Sequence, residues 1–138
     1  MNSITVCIPL LPPKEVSPNH HGTLRAKMRA TKAWREAGYY CARQACPGVF
    51  PNYEKALLRI TYRVPSRKYI KDDDNAISAI KGALDGCVLA GIVCNDSPEH
   101  LRILQVMWDI GKKERATILE FIKLEVKDET GSSSKDSR

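Results

Sequence analysis

The chain has 138 residues, of which 43% are hydrophobic, and it carries a formal net charge of +6. This length suits one domain with a substantial core and leaves little room for a second. No apolar run approaches the ~20 residues of a transmembrane helix, the start lacks the order of a secretory signal, and the five cysteines are odd in number. We therefore expect a reduced, cytoplasmic protein without membrane association, and its basic surface makes nucleic acid a reasonable partner.

The first half of the chain predicts a strand, a helix and a second strand. Alternating apolar residues at 4–10 predict a half-buried strand. Turn residues at 17–22 predict a loop, and residues 24–46 form a helical pattern in which six positive charges stand against Glu36 alone. Residues 56–64 alternate again and predict the second strand.

The second half adds a helix and two strands. Residues 75–90 predict an amphipathic helix, and residues 101–108 and 116–126 predict strands that pair in antiparallel fashion across a turn. The sequence therefore predicts one domain over 1–127, followed by a disordered polar tail over 128–138. The order β-α-β-α-β-β is typical of an α/β (α+β) fold, in which two helices cover a small mixed sheet.

Three adjacent carboxylates, Asp72, Asp73 and Asp74, open the second helix of this basic protein. Like charges ~4 Å apart repel by roughly 1 kcal/mol in water and about 4 kcal/mol near a protein surface, and one aspartate is enough to cap a helix. Helical spacing continues the acidic run as one polar stripe, whose simplest interpretation is a solvated face. The members of this stripe are Asp74, Ser78, Lys81 and Asp85.

A later aspartate, Asp96, extends the acidic constellation. If the short apolar run at 92–94 returns to the sheet, we expect Asp96 to approach the start of the second helix and to join Asp72 and Asp74. Hard oxygen donors without histidine or cysteine suit Mg²⁺ or Mn²⁺ rather than zinc. In phosphodiester hydrolysis such ions activate water and stabilise the leaving oxygen, while a basic groove holds the substrate.

The combined pattern resembles the RusA-type Holliday-junction resolvases, which are small phage and bacterial endonucleases. Their motif is Asp-x-Asp-Asn at a helix start, then a lysine, an Asp-Gly, a glycine and an Asp-Asp-Ser. In this sequence the corresponding segments are Asp72-Asp73-Asp74-Asn75, Lys81, Asp85-Gly86, Gly91 and Asn95-Asp96-Ser97. Two positions differ: Ser78 stands where the enterobacterial type has its lysine, and Asn95 stands where an aspartate is usual.

The resemblance covers nearly the whole chain except the tail, and it implies a RusA-like fold and a set of roles. Asp72, Asp74 and Asp96 would bind the metal, and Lys81 would be the catalytic-site lysine. The family implies a homodimer that uses Mg²⁺, with Mn²⁺ as a substitute and no small-molecule cofactor, and that makes paired nicks in four-way DNA junctions.

The distribution of positive charge predicts which basic side chains contact DNA. For the loop residue Asn19, the prediction rests on the resemblance. The predicted DNA-binding residues are Asn19, Arg25, Lys27, Arg29, Lys32, Arg67, Lys68 and Lys71. Two other functions stay open. One is a non-catalytic module that is derived from such a nuclease and binds branched DNA. The other is a structural cation-binding domain in which the acidic cluster only stabilises the fold.

Overall fold

The computed structural model describes residues 2–17 and 20–125, which form a four-stranded sheet and three helices. The strands are β1 (Ser3–Ile8), β2 (Ala56–Val64), β3 (Leu101–Ile110) and β4 (Ala116–Lys123). The helices are α1 (Leu24–Ala45), α2 (Asp73–Ala79) and α3 (Lys81–Ala90), and short 3₁₀ turns lie at Lys14–Val16 and Arg67–Tyr69. Asn19 and the predicted tail at 128–138 lie outside the described residues.

The strands lie in the order β1-β4-β2-β3, and the sheet is mixed, as predicted. β4 is antiparallel to both β1 and β2, whereas β3 is parallel to β2. The prediction of an antiparallel β3–β4 pair is wrong because β2 lies between them. The chain leaves β3 and crosses the end of β2, where the backbone N–H groups of Gly111 and Lys112 donate to the carbonyl of Val64 over 2.9 and 3.1 Å.

The core lies on one face of the sheet. Alternating side chains of each strand point to this face, and the buried residues of all three helices pack with them in one cluster. The largest fully buried strand residues are Val6, Ile8, Leu58, Ile60, Tyr62, Val64, Leu119 and Phe121. On the opposite face, Leu57, Thr61, Ile118 and Ile122 are only half-buried. No helix among the described residues is long and apolar enough to cross a membrane.

The single second helix that the sequence predicts is divided at Ile80, so the fold has three helices rather than two. Two buried side chains explain the division. The indole N–H of Trp34 donates to the carbonyl of Ala79 over 2.9 Å, and the hydroxyl of Tyr62 donates to the carbonyl of Ala76. A buried indole or phenol needs such an acceptor. These bonds attach α2 to both α1 and β2.

Two glycines allow α1 and α3 to pack with their backbones in contact. A Cβ atom added at Gly86 would lie 2.1 Å from the carbonyl oxygen of Arg35, and one added at Gly38 would lie 2.2 Å from the carbonyl oxygen of Ala83. Real Cβ atoms do not approach backbone atoms this closely, so both positions require glycine. The close approach brings the α3 segment around Asp85 beside α1.

Candidate functional site

The acidic run forms the N-cap and the first turn of α2. Asp72 is the N-cap, and its carboxylate accepts a hydrogen bond from the backbone N–H of Asn75 over 2.9 Å. Asp73 and Asp74 occupy the first turn, where the helix dipole favours negative charge, and all three carboxylates are exposed. Because Trp34 anchors the end of α2, the position of the acidic run is set by the tertiary structure.

The segment after α3 reverses direction and leads to Asp96. Gly91 has a φ of 95° and ends α3 in the left-handed conformation that glycine adopts without strain. The apolar run at 92–94 then makes an isolated parallel bridge between Val93 and Tyr53, rather than a strand of the main sheet. In the turn that follows, the side-chain oxygen of Asn95 accepts from the backbone N–H of Ser97 over 3.0 Å.

Asp96 lies near Asp85, a neighbour that the sequence pattern did not predict. Partial burial raises the pKa of Asp85, and the nearby Asp96 raises it further through its charge and a side-chain hydrogen bond. The positive charges of Lys81 and Arg35 lower the same pKa. Asp85 remains exposed, so solvent screens all of these effects. Two carboxyl groups and two cations from α1, α3 and the following loop therefore lie near enough to influence one another.

The division at Ile80 changes the polar stripe that the sequence predicts. Lys81 and Asp85 lie four residues apart on α3, whereas Asp74 and Ser78 belong to α2. The prediction of one continuous stripe on one helix is therefore wrong. Lys81 is the first residue of α3 and is exposed, and its catalytic role stays a prediction.

The carboxylates do not form a complete metal cage. Within residues 2–17 and 20–125, no three side chains of histidine, cysteine, aspartate or glutamate are close enough together to hold a metal ion. Asp72 and Asp74 therefore do not meet Asp96 as a preformed cluster. The donors are all oxygen atoms, and the Asp85–Asp96 pair is a place where a hard cation would relieve repulsion between like charges. The donor set thus fits Mg²⁺, and the metal stays a prediction.

We expect Asp85→Asn to raise the free energy of unfolding in EDTA at pH 7 by a few tenths of a kcal/mol, the scale of a like-charge pair on a helix. A carboxyl whose pKa is raised by folding favours the folded state below its ordinary pKa, and it loses that contribution as the pH rises through the raised value. The advantage of asparagine should therefore vanish below about pH 4. Urea denaturation at several pH values measures this, with the exposed Glu36→Gln as control.

An equal gain for Glu36→Gln would mean that reduced overall charge, rather than the Asp96 contact, is responsible. A loss of stability for Asp85→Asn at pH 7 would show that the pairing with Lys81 and Arg35 outweighs the repulsion.

A groove of about 1320 Å³ lies where the carboxyl ends of β1, β2 and β3 meet the start of β4. Three strand ends and two connections converge there, so residues far apart in sequence become neighbours. Its cationic lining consists of Lys14, Arg63, Lys68, Lys71, Lys113 and Arg115. Glu114 is the one carboxylate among the described lining residues. Asn75 lines the end of the groove at α2 and so joins it to the acidic run.

The predicted DNA-binding residues fall into two groups. Lys68 and Lys71 line the groove, while Arg67 is exposed beside them. The cations of α1 are exposed or half-buried and do not line it. These are Arg25, Lys27, Arg29 and Lys32. Sequence reasoning missed Lys14, Arg63, Lys113 and Arg115, because nothing in their local pattern indicates which strand ends come together. The sequence matches no protein-family model and no curated protein.

Proposed function

We propose that the protein is a Mg²⁺-dependent, structure-selective DNA endonuclease that cuts four-way junctions. The observation that supports this most is the continuity between a cationic groove and an acidic helix start. Asn75 lines the groove, and the carboxylate of Asp72 accepts a hydrogen bond from its backbone N–H. Cations hold a phosphate backbone, and carboxylates recruit the metal that phosphodiester hydrolysis uses.

Each group of residues has a role in the proposed reaction. Asp72, Asp74 and Asp96 would hold the metal once they come together around it, and Asp96 lies near enough to Asp85 to affect its pKa. Bound Mg²⁺ supplies activation of water and stabilisation of the leaving oxygen. Lys81 stabilises negative charge on the phosphate, since its exposed ammonium lies close enough to influence Asp85. The cations of the groove hold the DNA backbone in register with the acidic run.

The assay uses a labelled four-way junction and a linear duplex of the same sequence, each with Mg²⁺, Mn²⁺ or EDTA. We expect symmetric nicks in the junction with Mg²⁺, and none in the linear duplex or in EDTA. Binding of the junction without cleavage in either metal would contradict the nuclease. Absence of DNA affinity at low salt would leave only a structural role for the carboxylates.

A non-catalytic module that binds branched DNA is the second candidate. The observation that favours it is that, within the described ranges, no three metal-binding side chains are gathered in one place. The cationic groove serves either function equally well. The same assay therefore separates the two, because only the nuclease produces nicks.

We further propose that the protein is a homodimer, because two symmetric nicks require two sites. The sheet face opposite the helices supports this, since it exposes apolar side chains. Leu57, Ile118 and Ile122 are half-buried there, and Met107 is 43% exposed. We expect the chain to have the mass of a dimer by light scattering and Met107→Glu to shift it toward the monomer. Met28→Glu, at a residue of α1 that is 63% exposed, is the matched control.

A dimer that both variants disrupt equally, or neither disrupts, would place the interface elsewhere. A monomer at all concentrations would contradict the homodimer and leave the question of cleavage to the junction assay.

A further inference from the structure

We infer that the groove at the strand ends binds unpaired nucleotides: a single-stranded DNA segment in which one base stacks on Trp108 while the cations hold its phosphates. The inference rests on the proposed function in taking DNA as the ligand. It goes further by naming the part of the branched substrate that the site recognises.

Trp108 has the properties of a base-stacking platform. It lines the groove and is partly exposed, whereas the other tryptophan, Trp34, is 1% exposed. The ring of Tyr62 stacks against Trp108 with centroids 4.7 Å apart and planes inclined by 26°. Tyr62 is itself held by the bond from its hydroxyl to the carbonyl of Ala76. Trp108 is thus supported from behind before any ligand arrives.

The second aromatic side chain of the groove, Tyr69, has a different role. The guanidinium carbon of Arg115 lies 5.2 Å from the centre of its ring, and Arg115 also donates to its hydroxyl over 2.9 Å. The ammonium of Lys68 lies 5.8 Å from the same ring centre. These contacts hold two cations on the wall of the groove. Tyr69 therefore positions charge, and Trp108 is left as the platform for a base.

The charges of the groove match a polyanion. Lys14 comes from the connection after β1, Lys113 and Arg115 come from the connection between β3 and β4, and Lys68 and Lys71 come from the segment that leads into α2. Glu114 opposes them alone among the described lining residues. A phosphate backbone along this path would pass several cations in succession.

Stacking selects for unpaired DNA. In a duplex each base already stacks on its neighbours, so its face is not offered to a side chain, whereas an unpaired base is free to stack on an aromatic ring. The inference therefore requires base pairs at the crossover to open in the complex. Because Asn75 lines the groove and its backbone N–H donates to the carboxylate of Asp72, a phosphate beside Asn75 would lie close to the acidic run.

The test is tryptophan fluorescence with the full chain in EDTA, where no cleavage interferes. The probe is an oligothymidylate of about ten nucleotides, within the usual site size for single-strand binding. We expect this probe to quench the emission of Trp108 and a linear duplex of equal length to quench it far less. Trp108→Leu should abolish the quenching and weaken binding of the probe about tenfold or more, with the duplex affinity unchanged.

A matched pair of lysines keeps the test valid if Trp108→Leu folds poorly. Lys113 lines the groove, whereas its neighbour Lys112 does not line it and lies 3.8 Å from Asp109 in an ion pair. Lys113→Gln should weaken binding of the probe several-fold more than Lys112→Gln, although both remove one charge. Equal effects of the two variants would overturn the inference, as would binding of the probe without quenching.

This test and the junction assay fail independently. Junction cleavage with no quenching by the single strand would overturn the groove assignment and leave the nuclease intact. Quenching that Trp108→Leu abolishes, with no cleavage of any junction, would support the groove and contradict the nuclease.

Discussion

Replacing Asp74 with asparagine is expected to reduce Mg²⁺-dependent junction cleavage by roughly a hundredfold or more, the scale of losing one electrostatic contact at a reacting group. The side chain keeps its size and its place in the first turn of α2, so the fold should persist. It loses the charge that would draw the metal in the proposed site. Binding of the junction should stay the same or become tighter, because one negative charge facing the phosphates has been removed. Single-turnover cleavage and anisotropy measure the two effects separately.

Asp73→Asn is the matched control for this experiment. It lies in the same turn, is equally exposed and loses the same charge, and we expect it to have little effect on cleavage. If both variants lost cleavage to the same extent, the acidic run would act through its total charge rather than through particular ligands. A large loss of junction binding in Asp74→Asn would mean that Asp74 supports the structure instead of the reaction.

Gly86→Ala is expected to lower the free energy of unfolding by roughly 3 kcal/mol, at the upper end of the cost of overpacking. The added Cβ would lie 2.1 Å from the carbonyl oxygen of Arg35 and 2.6 Å from the backbone nitrogen of Tyr39. Both are main-chain atoms of α1, so neither can move aside as a side chain does. In an unobstructed helix the same substitution would stabilise by roughly 0.5–1 kcal/mol, and the loss must exceed that gain.

Urea denaturation followed by circular dichroism measures this loss. Gly48→Ala is the control, because a Cβ at Gly48 meets no atom within 4 Å, and its effect should stay within about 0.5 kcal/mol. A stability for Gly86→Ala equal to that of the parent would contradict the backbone contact between α1 and α3. It would also remove the reason for Asp85 to lie beside Arg35.

Local patterns predicted the elements well wherever one segment carries its own signals. The bounds of β2 agree with the prediction at both ends, because strict alternation stops at Pro65. The prediction for α1 differs from the structure by one residue, and Thr23 caps its start by accepting from the backbone N–H of Ala26. In each case the information lies within a few residues of the boundary.

Long-range partners explain the errors. The division of the second helix depends on Trp34 and Tyr62, which lie 45 and 14 residues away from the carbonyls that they engage. The position of β2 between β3 and β4 depends on its pairing with both strands, from which it is separated by tens of residues in the chain. Neither the hydrogen bonds from Trp34 and Tyr62 nor the position of β2 in the sheet alters the hydrophobic pattern of the segment concerned. They therefore cannot be predicted from that segment alone.

Only part of the candidate site was predicted, because the rest also depends on long-range partners. The helix start at Asp72 was visible as an acidic run, whereas the contact between Asp85 and Asp96 depends on the reversal at Gly91 and on the approach of α3 to α1. The spacing of Lys81 and Asp85 was a usable signal, since opposite charges four residues apart on one helix attract each other and the charge of Lys81 lowers the pKa of Asp85.

The direction of the strands has a practical meaning for attaching the molecule to a surface or a label. β1 runs toward the groove and β4 runs away from it, and Ser3 pairs with Ile122 at the far end of the sheet. At about 3.4 Å per residue, Ser3 lies about 14 Å from Cys7 and Ile122 about 20 Å from Ala116, the strand residues that line the groove. A tether or fluorophore placed at Ser3 would therefore leave the groove open to a long DNA, as single-molecule measurements require.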